Sequence, residues 1–471
     1  MSSLEAIGRI IRDRARTTPE RVAIVAGDRE ITYAQLDSAS DALATALLAR
    51  GLRHGDRVAT LTGNSPEHVA VFFACAKAGL ILLPLNWRLA AVELAYQLDD
   101  ADPAAFLVEP GLEELAEPTH HPFEPLAWPE WTGTVRADVA GDDPLLLIYT
   151  SGTTGRPKGA LLTHANCFWT NLGFDLATGI SGDDVVLQVL PQFHCGGWNV
   201  QPLLAWWKGA TVVLERVFDA ERCLDLIERR RVTTMMGVPA NYLFMAEAPG
   251  FAAADLSSLR LAVAGGAAMR EALIQTWAER GVAIVQGYGL TEAAPNVLCL
   301  PPEDALRKIG YAGKPYPYVD VDIRDGELVV RGPNVFPGYW RNPVATSSAF
   351  VDGWLLTGDV AERDDEGYYR IRGRVKDMFI SGGENVYPAE VESVLHQHPY
   401  VREAAVVGVP DERWGEVGLA YVVLSRDVPD VELAEFCRSR LARFKVPKRF
   451  VRLEALPRSA MNKVVVSELP A

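Results

Sequence analysis

The densest chemistry in the chain lies in Tyr149-Thr150-Ser151-Gly152-Thr153-Thr154-Gly155-Arg156-Pro157-Lys158-Gly159. Glycines let backbone N–H groups turn inward and approach a ligand closely. The Ser and Thr hydroxyls donate to phosphate oxygens, and Lys158 adds a point charge. The order therefore reads as a phosphate cradle. It is not a Walker A loop, which needs four residues between its glycines and a Ser or Thr after its lysine. Here Gly152 and Gly155 are closer than that, and Gly159 follows Lys158. A flexible surface hairpin is the bland alternative.

Three further stretches carry usable side chains. Gly287-Tyr288-Gly289-Leu290-Thr291-Glu292 offers a ring that can stack on a flat base and a carboxylate that can hold a divalent metal bridging phosphates. Gly265-Gly266-Ala267 ends the strand before it in the same way. Thr357-Gly358-Asp359 supplies an acidic residue of the type that grips ribose hydroxyls, although Asp also simply forms turns. Phe193-His194-Cys195-Gly196-Gly197-Trp198 follows a strand, where α/β folds put ligands. Taken singly, a lone His or a turn residue is more often structural.

These loops need elements to hold them. Leu145-Leu146-Leu147-Ile148 and Ala160-Leu161-Leu162-Thr163 read as strands flanking the cradle. Upstream, a helix over Leu4 to Ala15 precedes strands at Val22–Val25 and Glu30–Tyr33. A helix from Asp37 closes at Gly51, a strand spans Asp56–Thr62, a helix runs from Glu67 to Ala78, and Ile81–Leu85 is a buried strand. That alternation predicts α/β layers with parallel strands. No titratable cluster stands out before residue 140, so the region reads as scaffold. After the cradle a helix is predicted over Ala165 to Gly173, and a strand over Asp184 to Leu190.

The strands Leu259–Ala264 and Val282–Gln286 flank a helix from Arg270 to Arg280. Right-handed crossover then puts both glycine-bearing loops on one sheet edge, where ligands bind. From Val319 the texture becomes short strands, with a hairpin at Asp325-Gly326. Gly373-Arg374-Val375-Lys376-Asp377 is charged and glycine-led, and reads as a boundary. The expected fold class is α/β: a large N-terminal domain of layered α/β subdomains plus a small β-barrel-like subdomain over 1–374, then a small α+β domain over 375–471.

The 471 residues are too many for one core. A net charge of −15 argues against a nucleic-acid partner, whose phosphates need a basic surface. The six cysteines are scattered with no C-x-x-C pair, which fits a reducing cytoplasm without disulfide framework or zinc site. Charged residues interrupt any signal-like N-terminal run, and no apolar stretch reaches the roughly 20 residues that span a bilayer. A cytoplasmic location without integral membrane contact is the resulting expectation.

Together and in this order, the segments resemble the adenylate-forming superfamily of acyl-CoA synthetases, peptide-synthetase adenylation domains and luciferases. The match covers essentially the whole chain, and an AMP-forming acid–CoA ligase is the branch it is most similar to. The resemblance implies ATP with Mg²⁺, and coenzyme A as cosubstrate. Thr150, Ser151, Gly152, Thr153, Thr154, Gly155 and Lys158 would hold the β- and γ-phosphates. Gly266, Ala267, Gly287, Tyr288, Gly289 and Thr291 would frame the adenine, Glu292 the metal, and Asp359 with Arg374 the ribose. Lys376 sits at the hinge position, while Gly382 and Gly383 match the loop lining the thiol tunnel. Lys463 matches the mobile catalytic lysine. Asn462 stands where the family usually carries Gly; Asn is the next residue best able to turn left-handed. Trp414 lies in a segment like those that meet pantetheine.

The implied chemistry is attack of a carboxylate on the α-phosphate of ATP, loss of pyrophosphate, then transfer of the acyl group to a thiol. His194 resembles the gate of the acid pocket. Its other expected walls are Cys195, Gly196, Gly197, Trp198, Val238, Ala264, Gly265, Gly266 and Gly287. That set is neutral, so it disfavours an amino acid, whose ammonium would need a partner. A medium-chain fatty or aromatic acid is favoured. Loading of a carrier protein's phosphopantetheine is the runner-up, and a homodimer is an open assembly. A luciferase-like oxidase would want lysine where Ile380 stands. A non-catalytic nucleotide binder is disfavoured by intact Glu292, Asp359, Arg374 and Lys463.

Overall fold

The computed structural model describes residues 3–135, 137–150, 157–381, 384–411, 414–458 and 464–470. Two large sheets organise the first three quarters of the chain. In the nine-stranded one the order is Lys314–Pro315, Asn296–Cys299, Ile284–Gly289, Leu261–Ala264, Thr234–Gly237, Val185–Gln188, Thr211–Leu214, Val22–Ala26 and Arg29–Thr32. From Val22–Ala26 to Ile284–Gly289 every neighbouring pair is parallel. Such strands are covered by helices on both faces and read as near-continuous apolar runs. Leu261–Ala264 and Thr234–Gly237 are buried throughout, as that rule requires.

The second sheet has seven strands, in the order Gly338–Tyr339, Lys158–Thr163, Pro144–Thr150, Ile81–Leu85, Arg57–Leu61, Ala105–Val108 and Glu124–Pro125. Its strands flanking the cradle are antiparallel, with Thr150 opposite Lys158. Between the two sheets the helix Pro66–Ala78 is buried at every residue but Glu67. The predicted hairpin is present: Asp320–Arg324 pairs with Glu327–Arg331 through Asp325 (φ 50°) and Gly326 (φ 84°). Both positive φ values define the tight turn that matches strand twist. This hairpin extends through Trp354–Arg363 to Tyr369–Arg374 in an antiparallel five-stranded sheet.

After the short turn Val375–Asp377 a separate sheet begins at Phe379–Ser381. It is built on the long pair Val401–Asp411 and Gly415–Leu424, with Arg449–Arg452 added in parallel. Its own apolar cluster gathers Phe379, Val391, Leu395, Val422, Leu433 and Phe450.

The helix expected from Asp37 starts at Tyr33, where Thr32 and Gln35 form a capping box, and two further elements also differ from the sequence expectation for clear reasons. The first helix starts at Gly8 rather than Leu4, because the Ile7 N–H donates to His164 Nδ1 at 3.1 Å instead of opening a helical turn. The helix after the cradle runs from His164 to Thr178, past Gly173. A Cβ at Gly173 would lie 3.1 Å from the Pro317 carbonyl, so this glycine permits close packing and does not end the helix. Gly179, at φ 62°, does.

Candidate active site

Two side-chain clusters face the parallel sheet's carboxyl edge, and the segment Gly287–Glu292 belongs to both. Right-handed crossover predicts one edge for the two glycine loops, and the strands Leu261–Ala264 and Ile284–Gly289 are indeed parallel neighbours. Gly265 and Gly287 lie side by side: a Cβ on Gly265 would stand 3.3 Å from the Gly287 carbonyl oxygen. Gly266 has φ 80°, which suits a residue without Cβ. Gly266 and Ala267 are exposed, while Ala264 and Gly265 are buried.

The first cluster is built around a carboxylate. Asp359 and Arg374 are directly opposed on antiparallel strands, and Arg374 Nε meets Asp359 Oδ1 at 3.1 Å. The Tyr288 hydroxyl donates to the other oxygen, Oδ2, at 2.6 Å. Asp359 is nearly enclosed, with 9% of its side chain exposed, whereas half of Arg374 faces solvent. Burial, then the Asp359 charge, raise the Tyr288 hydroxyl well above its ordinary value, so it remains a donor. Thr357 fixes the approach: its hydroxyl donates to the Leu328 carbonyl at 2.7 Å and accepts from the Asp359 N–H at 3.1 Å.

A second carboxylate anchors the other cluster. The Tyr339 hydroxyl donates to Glu292 Oε1 at 2.7 Å. Lys158 Nζ sits 5.4 Å from the centre of the Tyr339 ring, within cation–π range. Burial first, and Glu292 second, push the Tyr339 hydroxyl far up, which keeps its proton on oxygen. The backbone repeats the connection. Gly338–Tyr339 pairs with Ala160–Leu161, the Trp340 N–H donates to the Gly159 carbonyl at 2.7 Å, and the Phe336 N–H donates to the Glu292 carbonyl at 2.9 Å. Buried Asn334 donates to the Ala293 and Asn296 carbonyls, and Asn166 to those of Pro333 and Val335. Residues 333–340 thus form a strap from the Glu292 turn to the strand leaving the cradle.

Thr150 Oγ1 lies 3.5 Å from the Lys158 carbonyl at the mouth of the loop. Ser151, Gly152, Thr153, Thr154, Gly155, Gly382, Gly383 and Lys463 lie outside the described residues. Thr291 and Gly289 belong to the turn that carries Glu292. Lys376 is exposed in the turn Val375–Asp377. Trp414 is on the C-terminal sheet's rim, 41% exposed, with Lys448 Nζ 5.8 Å from its ring centre. Lys376 stands two residues after Arg374, in a turn packed against the strand that carries Asp359.

The expected pocket walls divide. His194 packs edge-on against Phe193 at 4.5 Å. Buried Cys195 feels the Glu292 charge, and its thiol is held high chiefly by burial. A Cβ at Gly196 would meet only Leu190 and Val200, both at 3.7 Å, and one at Gly287 would meet the Leu298 carbonyl at 3.6 Å. Both positions therefore have room. Val238 is partly exposed beside Gly266. Gly197 has no such room, since a Cβ there would strike the Pro191 carbonyl at 2.3 Å. Trp198 lies inside the core. It is 0% exposed, stacked on Phe72 at 4.5 Å, with Nε1 donating to the Gln192 carbonyl at 2.6 Å. Its packing backs the turn from behind, where the sequence had offered it as a surface for the acid.

Tyr339 is the site residue that sequence reasoning did not single out. Nothing in Gly338-Tyr339-Trp340 distinguishes a carboxylate partner from an ordinary edge-strand tyrosine. The informative signal is spatial, because the partner stands beside a loop far earlier in the chain.

The comparisons with known proteins bear on this arrangement. The family profile described as "AMP-binding enzyme" matches residues 11–340, and "AMP-binding enzyme C-terminal domain" matches 390–463. This chain belongs to the AMP-binding enzyme family. Among curated members, it is 41% identical to a feruloyl-CoA synthase of Amycolatopsis sp, covering 97% of this chain and 96% of that protein. It is 38% identical to the long-chain-fatty-acid–CoA ligase FadD13 of Mycobacterium tuberculosis, over 99% and 98% of the two chains. Among solved structures, the o-succinylbenzoate CoA synthetase of Bacillus subtilis with its acyl-adenylate superposes with TM-score 0.89 at 35% identity, covering 98% and 97%. The adenylate-forming resemblance and the mixed α/β fold class drawn from sequence both stand on these findings.

Proposed function

We propose that this AMP-binding family member is an AMP-forming acid–CoA ligase whose acid is neutral and aromatic, with a medium-chain fatty acid as the second choice. Acid–CoA ligation is the activity named for relatives that align along the whole chain, on the aromatic and the aliphatic side alike. The observation that carries the reading is the pairing of two carboxylate clusters across Gly287–Glu292. One suits a nucleoside and the other its phosphates.

Each end fits its task chemically. Asp359, oriented by Tyr288 and Arg374, is an acceptor-only group suited to a pair of ribose hydroxyls. Lys158 and the hydroxyls of the cradle suit the β- and γ-phosphates. Among the described residues no three His, Cys, Asp or Glu side chains converge into a metal cage. One carboxylate, Glu292, beside a phosphate loop is what Mg²⁺ uses when it travels with a nucleotide and keeps most of its waters. Bound there, Mg²⁺ would supply charge neutralisation on the phosphates.

The chain's own residues do the rest. Lys463 meets the charge that builds between the attacking carboxylate and the α-phosphate, a role of electrostatic stabilisation. The cradle grips the part that leaves, so its loss hurts adenylation and spares the thiol step. Arg374 and Lys376 bracket the join between a 1–374 body and a 375–471 tail whose swing brings Gly382-Gly383 to the thiol. Support for a neutral acid comes from Cys195, Gly196, Val238, Ala264, Gly265 and Gly287, none of which carries charge. A Cβ could be added at Gly196 or at Gly287 without a clash, so neither position is closed by its immediate neighbours.

The test is pyrophosphate release against a panel of aromatic, medium-chain and amino acids, with and without CoA. The reading expects release with cinnamate- or benzoate-like acids and formation of the acyl-CoA with free CoA. Adenylation followed by transfer to a carrier protein only, or activity confined to amino acids, would overturn it.

A further inference from the structure

The strap over residues 333–340 has a feature that the general reaction does not require. One aromatic side chain touches both the carboxylate proposed for the metal and the cation proposed for the phosphates. We propose that Tyr339 is a positioning residue that holds the Glu292 carboxylate in one rotamer for the nucleotide-bound Mg²⁺ and sets the height of Lys158 above the phosphates. This rests on the ligase reading above.

Three observations carry it. The Tyr339 hydroxyl engages Oε1 of Glu292 at 2.7 Å, and Oε2 remains the oxygen on which the metal can act. The ring's face lies beneath Lys158 Nζ at 5.4 Å, so the ammonium is attracted to a fixed point at the mouth of the cradle. The backbone of Tyr339 is itself immobilised on both sides. It pairs with Ala160, and its N–H donates to Thr346 Oγ1 at 2.9 Å. Phe336 closes the ring edge-on at 4.9 Å, while its own N–H holds the Glu292 carbonyl. A tyrosine so restrained has little freedom to follow the carboxylate; the carboxylate must follow it.

A carboxylate free to rotate binds a hydrated cation less well than one held in place, because the rotamer must be selected on binding. Tyr339 supplies that selection before the nucleotide arrives. Phosphate contacts that need no metal depend on its ring, and those that need the metal depend on its hydroxyl. The two contributions are therefore separable by substitution.

The experiment titrates full-length protein with α,β-methylene-ATP at a series of free Mg²⁺ concentrations, and with AMP, by calorimetry. Tyr339→Phe keeps the ring and the Phe336 packing and removes only the hydroxyl. It should raise the Mg²⁺ concentration at half-maximal analogue affinity about 10- to 150-fold, on the scale of one lost hydrogen bond to a charged group. It should leave AMP affinity within two-fold. Tyr339→Leu should add a loss of analogue affinity at vanishing Mg²⁺, through Lys158. In double-variant form, Tyr339→Phe on Glu292→Gln should add nothing to the Mg²⁺ shift. An unchanged Mg²⁺ dependence in Tyr339→Phe, or an equal loss of AMP affinity, would overturn the proposal; the latter marks a purely structural role. These binding readouts stand even if no acid in the panel is turned over, so failure of the ligase reading is seen separately.

Discussion

Removing the Tyr288 hydroxyl is the sharpest test of the nucleoside end. In Tyr288→Phe the ring stays and Asp359 Oδ2 loses its 2.6 Å donor. The carboxylate is nearly enclosed, so bulk water cannot fully replace that donor. A hydrogen bond to a charged group is worth about 1.5–3 kcal/mol, or a factor of roughly 10 to 150 in an equilibrium constant. Arg374 remains on Oδ1 at 3.1 Å, so the ion pair survives and the loss should fall toward the lower half of that range. The expected result is an AMP dissociation constant raised about 10- to 50-fold by calorimetry, with kcat at saturating ATP changed less than about three-fold. Combining Tyr288→Phe with Asp359→Asn gives the decisive number. The two contact each other directly, so their effects should fail to add by at least about 1 kcal/mol. Additivity within about 0.5 kcal/mol, or unchanged AMP affinity in Tyr288→Phe, would refute the argument that the tyrosine acts through the aspartate.

Three further outcomes follow from residues elsewhere. Lys463→Ala should abolish pyrophosphate release while leaving ATP binding intact, and release at the wild-type rate would remove that lysine from the reaction. Glu392, mainly through burial, is raised from 4.5 to about 7, so the folded chain holds a proton there that the unfolded chain releases. Stability from this group is present below its unfolded value and is lost as pH rises through about 7. Glu392→Gln, which can still accept from Val406 N–H at 2.8 Å in the wild-type geometry, should raise the thermal midpoint at pH 8 and leave it unchanged at pH 4.5. The gain at pH 8 should be about 1–2 kcal/mol, below the full linkage value because the residue is only partly buried. Equal midpoint changes at both pH values would contradict the sign. His68 behaves oppositely: burial lowers it from 6.5 to about 3, so below pH 6.5 only the unfolded chain gains the proton. Stability should then fall by about 1.4 kcal/mol per pH unit from this residue alone. In urea titrations between pH 6 and 4, His68→Gln should flatten the decline by that amount, and an unaltered slope would count against it.

Much of this architecture was legible in the sequence because its signals are local. The Asp325-Gly326 hairpin, the helix ending at Gly79 and the two glycine loops after parallel strands are each decided by a few adjacent residues. The pairing of Asp359 with Arg374 came from family resemblance, and the strands set them opposite each other. What escaped depends on distant partners. Gly173 looked like a helix stop, but its lack of a side chain answers the Pro317 carbonyl. Trp198, in a glycine-rich turn, looked available to a substrate, but its partner Phe72 sits on a helix read as scaffold. Tyr339 escaped for the same reason, and so did the contact of buried Lys77 with Asp37 and Asp41.

The strap also has a bearing on how the chain is made. Its edge strand closes a sheet begun at residue 57, by pairing with residues 160–161. Local hairpins can form as soon as they leave the ribosome, whereas contacts between distant segments wait for the second partner. A nascent chain released before Trp340 would carry the cradle's sequence with one of its flanking strands still an open edge. It would lack both the Gly159 clasp and the tyrosine beside Glu292. Grip on the nucleotide's phosphates should therefore appear at a length set by this late stitch and not by the emergence of the glycines themselves, while the nucleoside end waits for Asp359 and Arg374.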